Sequence, residues 1–238
     1  MNSNSKVALV SGSSRGIGKA IAEDLVNQGF IVATNSRSEG GENHFAADLI
    51  NSESAKTLVK DVLAKFGRLD VVVCNIGTGA PVDAALNSSD RWQHYLESNL
   101  FSASNLVDAS MDALKESNGS VIAISSICGS SVISQAPIEY SVAKAALNMY
   151  FKSMASAHAA NKVRFNVVSP GNVIFTGSRW EEKKKTDPAG IAIFLSENVP
   201  TKSFVSPAEV ATAVRYFATN ESANTTGVIL EVDGGQSL

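Results

Sequence analysis

An apolar run, a glycine-rich turn and an amphipathic run open the chain in that order, and this order restricts the available folds more than any other feature. The apolar run is Lys6 to Val10, the turn is Ser11 to Gly18, and the amphipathic run is Lys19 to Asn27. The pattern predicts a buried strand, a tight turn and a helix that stops at Gly29. Such an arrangement presents backbone N–H groups and the positive end of a helix dipole to a phosphate group.

The glycines of the turn indicate what kind of phosphate it suits. Glycine tolerates a positive φ and lets a ligand approach the backbone, so Gly12, Gly16 and Gly18 permit a tight turn beside a pyrophosphate. Their spacing, Gly-x3-Gly-x-Gly, differs from the commoner dinucleotide fingerprint Gly-x-Gly-x2-Gly. The position directly after an N-terminal strand favours a dinucleotide site.

Strand-like and helix-like segments alternate along the rest of the chain. Only residues 38–42 separate Arg37 from the next extended stretch, which is too few for a crossover helix, so we expect a short or irregular edge strand there. The alternation predicts an α/β fold: one domain, residues 1–238, with a doubly wound, Rossmann-type parallel sheet of about seven strands and helices on both faces. Strands are predicted at 30–35, 43–47, 69–74, 120–124, 163–168 and 227–232, and helices at 51–66, 89–116, 141–160 and 208–219.

Composition and charge exclude several classes of protein. Of the 238 residues, 44% are hydrophobic and 18% charged, and the net charge of -3 gives no general attraction to nucleic acid or to an anionic membrane. The polar N-terminus, Met1 to Lys6, shows no signal peptide, and no apolar stretch approaches the roughly 20 residues of a membrane span, so we expect a cytoplasmic protein. Neither the two cysteines, Cys74 and Cys128, nor the three histidines have metal-ligand spacing, so no metal site is predicted.

A tyrosine and a lysine lie four residues apart beside the helix predicted for residues 141–160. That spacing places Tyr140 and Lys144 on one helix face, where both can act on the same small space. A free phenol, with a pKa near 10, holds its proton too tightly to act as a base at neutral pH, and a neighbouring cation favours the phenolate. The pair predicts a proton-transfer site in which Lys144 lowers the pKa of Tyr140, although the same spacing also occurs on exposed helices without a catalytic role.

The end of the second predicted strand bears on the choice of cofactor. An Asp or Glu there would bind the 2'-hydroxyl of an adenosine ribose, but this chain has Ser36 and Arg37, and Arg15 lies in the glycine-rich turn. Two guanidinium groups and a hydroxyl suit a 2'-phosphate, so the sequence favours NADP. NAD is the alternative if Arg37 is a solvated loop residue.

Two asparagines occupy informative positions in the middle of the chain. Asn75, followed by Gly77, comes directly after the strand at 69–74, where such residues hold a ligand or form an ordinary turn. Asn99 lies within a predicted helix, and asparagine is a poor residue for a helix interior. We therefore expect the Asn99 amide to bond a displaced backbone group or a water molecule.

These motifs together resemble the short-chain dehydrogenase/reductase family over essentially the whole chain. The resemblance covers the glycine loop at 11–18, the segment Asn75-Ile76-Gly77, the pair Pro170-Gly171 and the terminal Val232-Asp233-Gly234-Gly235. It implies a catalytic tetrad of Asn99, Ser126, Tyr140 and Lys144. It also implies cofactor contacts from Gly12, Ser14, Arg15, Gly16, Ile17, Gly18, Ser36, Arg37, Asp48, Leu49, Asn75, Gly77, Tyr140, Lys144, Pro170, Gly171 and Val173.

Family membership implies hydride transfer between NAD(P)H and the carbonyl or alcohol carbon of a small molecule. Tyr140 would then give a proton to the developing alkoxide during reduction, or take it during oxidation. Lys144 would lower the Tyr140 pKa and bond the nicotinamide ribose, and Asn99 would position a water molecule that links Lys144 to solvent. Ser126 would hold the substrate oxygen; its choice over Ser125 rests on the family's pattern.

Substrate class is less well defined. The chain resembles the 3-oxoacyl carrier-protein reductase group, and residues 177–184 also resemble family members of bacterial surface-sugar biosynthesis. Residues 176–203, with Trp180 and the lysine run 183–185, fit no strand, so we expect a substrate lid at about 173–205. The lysines would meet an anionic sugar phosphate or nucleotide sugar, or they form a solvated helix face.

A rival interpretation is a catalytically silent NAD(P)-binding sensor or regulatory protein. The complete set Asn99, Ser126, Tyr140 and Lys144 argues against it, because a protein that only binds the cofactor has no need of the phenol. The resemblance also implies a homo-oligomer, a tetramer or dimer, that packs the helices predicted at 89–116 and 141–160 across two-fold axes.

Overall fold

The computed structural model describes residues 5–82 and 86–238. The domain predicted for residues 1–238 also includes residues 1–4 and 83–85, which lie outside the described residues. The strands are β1 (Val7–Val10), β2 (Ile31–Ser36), β3 (His44–Ala46), β4 (Val71–Cys74), β5 (Ser120–Ile124), β6 (Arg164–Pro170) and β7 (Ile229–Val232).

All seven strands belong to one parallel sheet with the order β3-β2-β1-β4-β5-β6-β7. The chain winds outward from β1 to β3 and then returns past β1 to β4, so the direction of winding reverses between β1 and β4. In such sheets ligands bind outside the carboxyl ends of the strands at that reversal. The predicted Rossmann-type parallel sheet is confirmed.

Helices cover both faces of the sheet. A five-residue π-helical turn, Glu97–Phe101, joins the third helix to the fourth. None of the helices in the described part of the chain is both long enough and apolar enough to span a membrane. The helices are α1 (Gly16–Asn27), α2 (Ser52–Phe66), α3 (Ser88–Leu96), α4 (Ser102–Ser117), α5 (Ile138–His158), α6 (Arg179–Thr186), α7 (Pro188–Asn198) and α8 (Pro207–Ala218).

Two apolar cores hold these helices to the sheet. Leu58 of α2, Leu106 of α4 and Phe151 of α5 belong to the core on one face. Ile21 of α1 and Val214 of α8 belong to the core on the other. Successive residues of β1 alternate between the two cores, as the period of a strand requires. Burial on both faces explains why the predicted strands are nearly continuous apolar runs.

The edge strand β3 follows β2 after a connection of only Arg37–Asn43. It has three residues and pairs in parallel with β2, with Thr34 opposite His44 and Ser36 opposite Ala46. The expectation of a short edge strand without a crossover helix is confirmed.

The largest difference from the sequence analysis lies between residues 176 and 203. Two helices that the sequence did not predict, α6 and α7, occupy this segment. The Trp180 ring stacks on Phe194 with 5.1 Å between ring centroids and contacts Phe204 at 5.3 Å. An isolated bridge between Val173 and Val205 closes the base of the segment. This segment is held together by contacts between aromatic residues that lie far apart in the sequence. Local periodicity does not reveal such contacts.

The packing of α5 on β6 yields a stability prediction. Phe151 is fully buried, with its ring edge-on to Phe165 at 5.8 Å between centroids. We expect Phe151→Ala to lower the free energy of unfolding by about 3–5 kcal/mol, because it removes a buried ring and leaves a cavity. Urea unfolding followed by circular dichroism measures this. Lys152→Ala, an exposed neighbour on the same helix, is the control, and a loss of less than about 1 kcal/mol in Phe151→Ala would contradict the assigned core.

Candidate active site

The glycine-rich turn lies at the carboxyl end of β1, where the winding reverses. Gly12 and Gly16 have φ values of 61° and 56°, in the left-handed region that favours glycine. A Cβ atom at Gly18 would collide with the Gly12 carbonyl oxygen. Helix α1 begins at Gly16, and no side chain caps its N-terminus, so the N–H groups of its first turn remain available to an anion. In the same turn Ser14 and Arg15 are exposed, and Ile17 packs against the core.

Asn75 supports this turn from below. Its Nδ2 atom donates to the carbonyl oxygens of Ser11 and Gly12 at 3.1 and 3.0 Å, and its backbone N–H donates to Ser11 Oγ at 2.9 Å. The side chain predicted to contact the cofactor is thus committed to the turn itself. Asn75 ties the ends of β1 and β4 together and shapes the phosphate-binding loop.

Asn35 and Ser13, which sequence reasoning missed, secure the end of β2 beside the glycine-rich turn. Asn35 is fully buried and donates through Nδ2 to the carbonyls of Phe45 and Ala47 at 2.9 and 3.2 Å. Its backbone N–H donates to Ser13 Oγ at 2.9 Å, which joins β2 to the glycine-rich turn. The available signal was an asparagine at the end of a predicted strand that begins with apolar residues, since an amide buried there needs hydrogen-bond partners.

The predicted adenosine contacts differ in their accessibility. Ser36 is half-buried, and Arg15 and Arg37 are exposed, with neither guanidinium in an ion pair to a described residue. Asp48 is exposed and accepts from the Ile50 N–H at 3.1 Å. The Leu49 side chain belongs to the core, so only its backbone can serve a ligand.

Asn99 lies in the π-helical turn and has no exposed surface. Its Nδ2 donates to the carbonyls of Tyr95 and Thr78 at 3.0 and 3.1 Å, and its Oδ1 accepts from the Thr78 N–H at 3.0 Å. The expectation that Asn99 bonds a displaced backbone group is confirmed by the contact with Tyr95. The structure also shows that the amide fixes the segment following β4.

Lys144 reaches the same region from α5. It is only 3% exposed, and its Nζ donates to the Ile124 carbonyl at the end of β5 at 3.0 Å. A Cβ at Gly77 would lie 2.9 Å from this Nζ and 2.6 Å from Asn99 Oδ1. Gly77 therefore makes room for the lysine and the asparagine.

Tyr140 and Ser126 complete the cluster. Lys144 Nζ lies 5.9 Å from the centroid of the Tyr140 ring, and the Ser126 hydroxyl lies close enough to the phenol to lower its pKa. Ser126 Oγ also accepts from the Cys128 N–H at 3.2 Å. The Ser125 hydroxyl is buried and points instead to the Lys144 carbonyl at 3.5 Å. The structure thus brings the four residues of the predicted tetrad together at the carboxyl edge of the sheet.

The pKa values of this pair correct one expectation. Burial raises the pKa of Tyr140 to about 12, and the Ser126 hydroxyl opposes this only in part. Burial also lowers the pKa of Lys144 to about 8. The predicted lowering of the Tyr140 pKa by Lys144 is not found in this structure, because loss of hydration dominates the pKa of the phenol.

Tyr95 and Cys128 also belong to the site and were missed. Tyr95 is buried, donates to the Ala80 carbonyl at 2.8 Å, and lies 6.3 Å from the Tyr140 ring. Burial raises the pKa of the Cys128 thiol, and a hydrogen bond with Ser126 lowers it. Two features of the sequence could have identified them. Tyr95 lies four residues before Asn99, and Cys128 lies two residues after Ser126.

Comparison with known proteins agrees with this architecture. Residues 12–237 match a family model described as Enoyl-(Acyl carrier protein) reductase. The chain is 32% identical over 252 residues to the 3-oxoacyl-(acyl-carrier-protein) reductase FabG of Vibrio cholerae serotype O1, with 100% of both chains covered. The chain belongs to the short-chain dehydrogenase/reductase family. It is therefore an NAD(P)-dependent oxidoreductase.

Two solved structures of short-chain dehydrogenases/reductases resemble it closely. Ligand-free aldohexose dehydrogenase of Thermoplasma acidophilum is 30% identical, with a TM-score of 0.88 and coverage of 99% of this chain and 95% of the other. The NADPH-bound short chain oxidoreductase of Pseudomonas aeruginosa PAO1, which contains an atypical catalytic center, is 25% identical, with a TM-score of 0.88 and coverage of 98% and 96%. Because the similarity covers nearly the full length of each chain, the family assignment includes residues 173–205.

The predicted cofactor residues that remain lie at the end of β6 and just after it. Pro170 ends β6, and the Gly171 N–H donates to the Val232 carbonyl at 3.0 Å. Val173 pairs with Val205 at the base of segment 173–205. Phe175, which sequence reasoning missed, packs its ring on the glycine-rich turn, where a Cβ at Gly16 would lie 2.6 Å from the ring. This segment therefore contacts the glycine-rich turn.

The buried ammonium yields a pH prediction. In the folded chain the Lys144 pKa is about 8, below its ordinary 10.5, so between these values the unfolded chain binds the extra proton and stability rises with pH. The raised pKa of Tyr140 has the opposite effect above pH 10.0, the ordinary pKa of tyrosine, because there the unfolded chain loses the phenol proton first and stability falls with pH. We expect the stability of the parent relative to Lys144→Met to rise by about 1 kcal/mol per pH unit between pH 8 and 10.

Urea unfolding of both proteins across this pH range measures the slope. Lys152→Met, on an exposed part of the same helix, tests for a general effect of losing an ammonium group. A difference between parent and Lys144→Met that stays constant with pH would show that the ammonium is not desolvated.

Proposed function

We propose that this oxidoreductase transfers a hydride between NADP(H) and a carbonyl or alcohol carbon of a small molecule, with Tyr140 as general acid and base. The observation that carries the proposal is the meeting of the Tyr140 phenol, the Ser126 hydroxyl and the buried Lys144 ammonium at the carboxyl edge of the sheet. The cofactor supplies the hydride or accepts it. A phenol beside a hydroxyl and an ammonium supplies the accompanying proton.

The residues present fit a dinucleotide with a 2'-phosphate. The glycine turn and the uncapped N-terminus of α1 suit the pyrophosphate. The exposed guanidinium groups of Arg15 and Arg37, with the Ser36 hydroxyl, suit the 2'-phosphate. Cofactor use by the NADPH-bound relative supports NADP over NAD.

The proton affinities of the pair support reduction as the working direction. A Tyr140 pKa of about 12 keeps the phenol protonated at neutral pH, ready to donate to a developing alkoxide. A Lys144 pKa of about 8 lets the ammonium exchange its proton near neutral pH. Ser126 would hold the substrate oxygen beside the phenol, and Asn99 would hold the backbone that encloses Lys144. A water molecule held by Asn99 remains part of the proposal.

The substrate proposal is a compound with a ketone group, like the 3-oxoacyl group named for the relative 3-oxoacyl-(acyl-carrier-protein) reductase FabG. An anionic sugar finds less support, because two of the three lysines in the run already contact other residues of α6. Lys185 pairs with Glu181 at 3.1 Å, and Lys183 lies 4.6 Å from the Trp180 ring centroid. Residues 173–205 would form the lid over the substrate, as their contact with the glycine-rich turn through Phe175 suggests.

Assembly into a homo-oligomer is part of the proposal. Phe101, Val142 and Met149 are large apolar side chains that stay exposed on the α4 and α5 side of the molecule. Contact between copies would remove this surface from water, which favours association. A tetramer or a dimer would satisfy this requirement.

Replacement of the phenol separates the enzyme from a silent sensor. We expect Tyr140→Phe to lower kcat by about 100-fold or more, since it removes the proton donor, while NADPH affinity stays within about twofold. Oxidation of NADPH with a panel of small carbonyl compounds measures turnover, and fluorescence titration measures binding. Tyr150→Phe, on the same helix, is the matched control and should keep the parent rate. Full turnover in Tyr140→Phe would refute the proposed mechanism.

The 2'-phosphate site makes a separate prediction. At one fixed ionic strength we expect Arg37→Ala to weaken NADPH binding by about tenfold and leave NADH binding nearly unchanged, because only NADPH carries the phosphate. Dissociation constants of both cofactors measure this. Lys19→Ala removes a cation from α1 and controls for general electrostatic attraction. Equal binding of NADPH and NADH by the parent would exclude the NADP preference.

A further inference from the structure

A histidine on the edge strand holds the loop that carries Arg37. His44 is the first residue of β3, is half-buried, and pairs with Thr34 of β2 across the sheet. The loop Arg37–Asn43 must reverse within a few residues and return beside β2 without a helix. Neither the catalytic mechanism nor the sequence motifs use this imidazole.

Both imidazole nitrogens bind groups around Arg37. His44 Nε2 lies 2.9 Å from Ser36 Oγ and 2.9 Å from the Ser38 carbonyl oxygen. His44 Nδ1 lies 3.0 Å from Thr34 Oγ1. Ser36 Oγ also donates to the Ser38 carbonyl at 3.1 Å. One ring therefore bridges the residues immediately before and after Arg37.

Hydrogen-bond chemistry determines which nitrogen carries the proton. The Ser38 carbonyl can only accept, so His44 Nε2 must donate to it. In the neutral ring Nδ1 then accepts from the Thr34 hydroxyl. The Thr34 hydroxyl also lies 3.4 Å from the Asn43 carbonyl.

Packing independently confines the ring. A Cβ at Gly40 would lie 2.6 Å from His44 Cδ2, so the loop passes over the imidazole only because residue 40 has no side chain. The ring thus fills the inside of the loop while Arg37 remains exposed on its outside. A loop held in this way loses less freedom when its arginine binds an anion.

We propose that His44 is a positioning residue for cofactor specificity: it fixes the backbone on both sides of Arg37 and so presents the guanidinium to the 2'-phosphate of NADP(H). The inference rests on the proposed use of NADP(H). It names a determinant of NADP(H) preference outside the glycine-rich turn and outside the residues expected to touch the phosphate.

Two substitutions of similar size distinguish the hydrogen bond from His44 Nε2 to Ser38 from the other contacts of the ring. In His44→Gln the amide nitrogen can replace Nε2 and keep the bond to Ser38, whereas His44→Asn reaches only as far as Nδ1. We expect His44→Asn to weaken NADPH binding by about fivefold and NADH binding by less than about twofold. His44→Gln should stay within about twofold of the parent for both cofactors. Titration calorimetry measures binding, and thermal unfolding shows whether each variant is folded.

A double-mutant cycle tests whether His44 acts through Arg37. In the Arg37→Ala background, His44→Asn should cause no further loss of NADPH affinity. Two results would overturn the inference and leave His44 with a structural role only. One is that His44→Asn weakens NADPH and NADH binding equally. The other is that it weakens NADPH binding as much in the Arg37→Ala protein as in the parent. Likewise, an effect of Arg37→Ala without any effect of His44→Asn would overturn this inference alone. If Arg37→Ala itself left the ratio of the two affinities unchanged, the proposed NADP site would fail with it.

Discussion

A buried ammonium group organises the active-site end of this sheet. Lys144 is almost entirely removed from water, and burying a charge is unfavourable unless polar groups surround it. The Ile124 carbonyl at the end of β5 accepts from it, Gly77 leaves space for it, and the adjacent Asn99 amide holds the backbone at Thr78. Residues from two strand ends, a π-helical turn and α5 therefore meet around one side chain.

The same desolvation sets the chemistry of the pair. In water a tyrosine and a lysine have similar pKa values, but here the phenol is at about 12 and the ammonium at about 8. Burial penalises the charged form of each group, so both are driven toward neutrality. A neutral phenol beside a readily exchanging ammonium is the state that a proton donor requires. The Ser126 hydroxyl lowers the pKa of the phenol without overcoming the effect of burial.

At the adenosine end, side-chain hydrogen bonds take the place of a missing crossover helix. Asn35 ties β2 to β3 and to the glycine-rich turn, and His44 ties the short loop back onto β2. Asn35 is buried and His44 half-buried, so these hydrogen bonds replace contacts with water and hold the loop against the sheet. The cofactor-facing edge is thus built from local polar contacts on an apolar sheet.

Local patterns in the sequence carry most of the fold. The strand at Ser120–Ile124 has the predicted bounds, and α5 begins at Ile138, three residues before the predicted start. Apolar runs and turn residues report burial directly, which explains this agreement. The helices α6 and α7 escaped prediction because Trp180, Phe194 and Phe204 pack together across distances that periodicity does not encode.

The sequence by itself determined the sheet and the glycine-rich turn, because both depend on residue type and spacing, and its resemblance to a known family named the four residues that meet at the site. Tertiary structure alone decided how those residues behave. Asn75 turned out to support the turn, and burial reversed the expected pKa of Tyr140. His44 gained its position only when β3 returned beside β2. Hydration, and partners distant in the chain, arise only when the chain has folded, so no local pattern contains them.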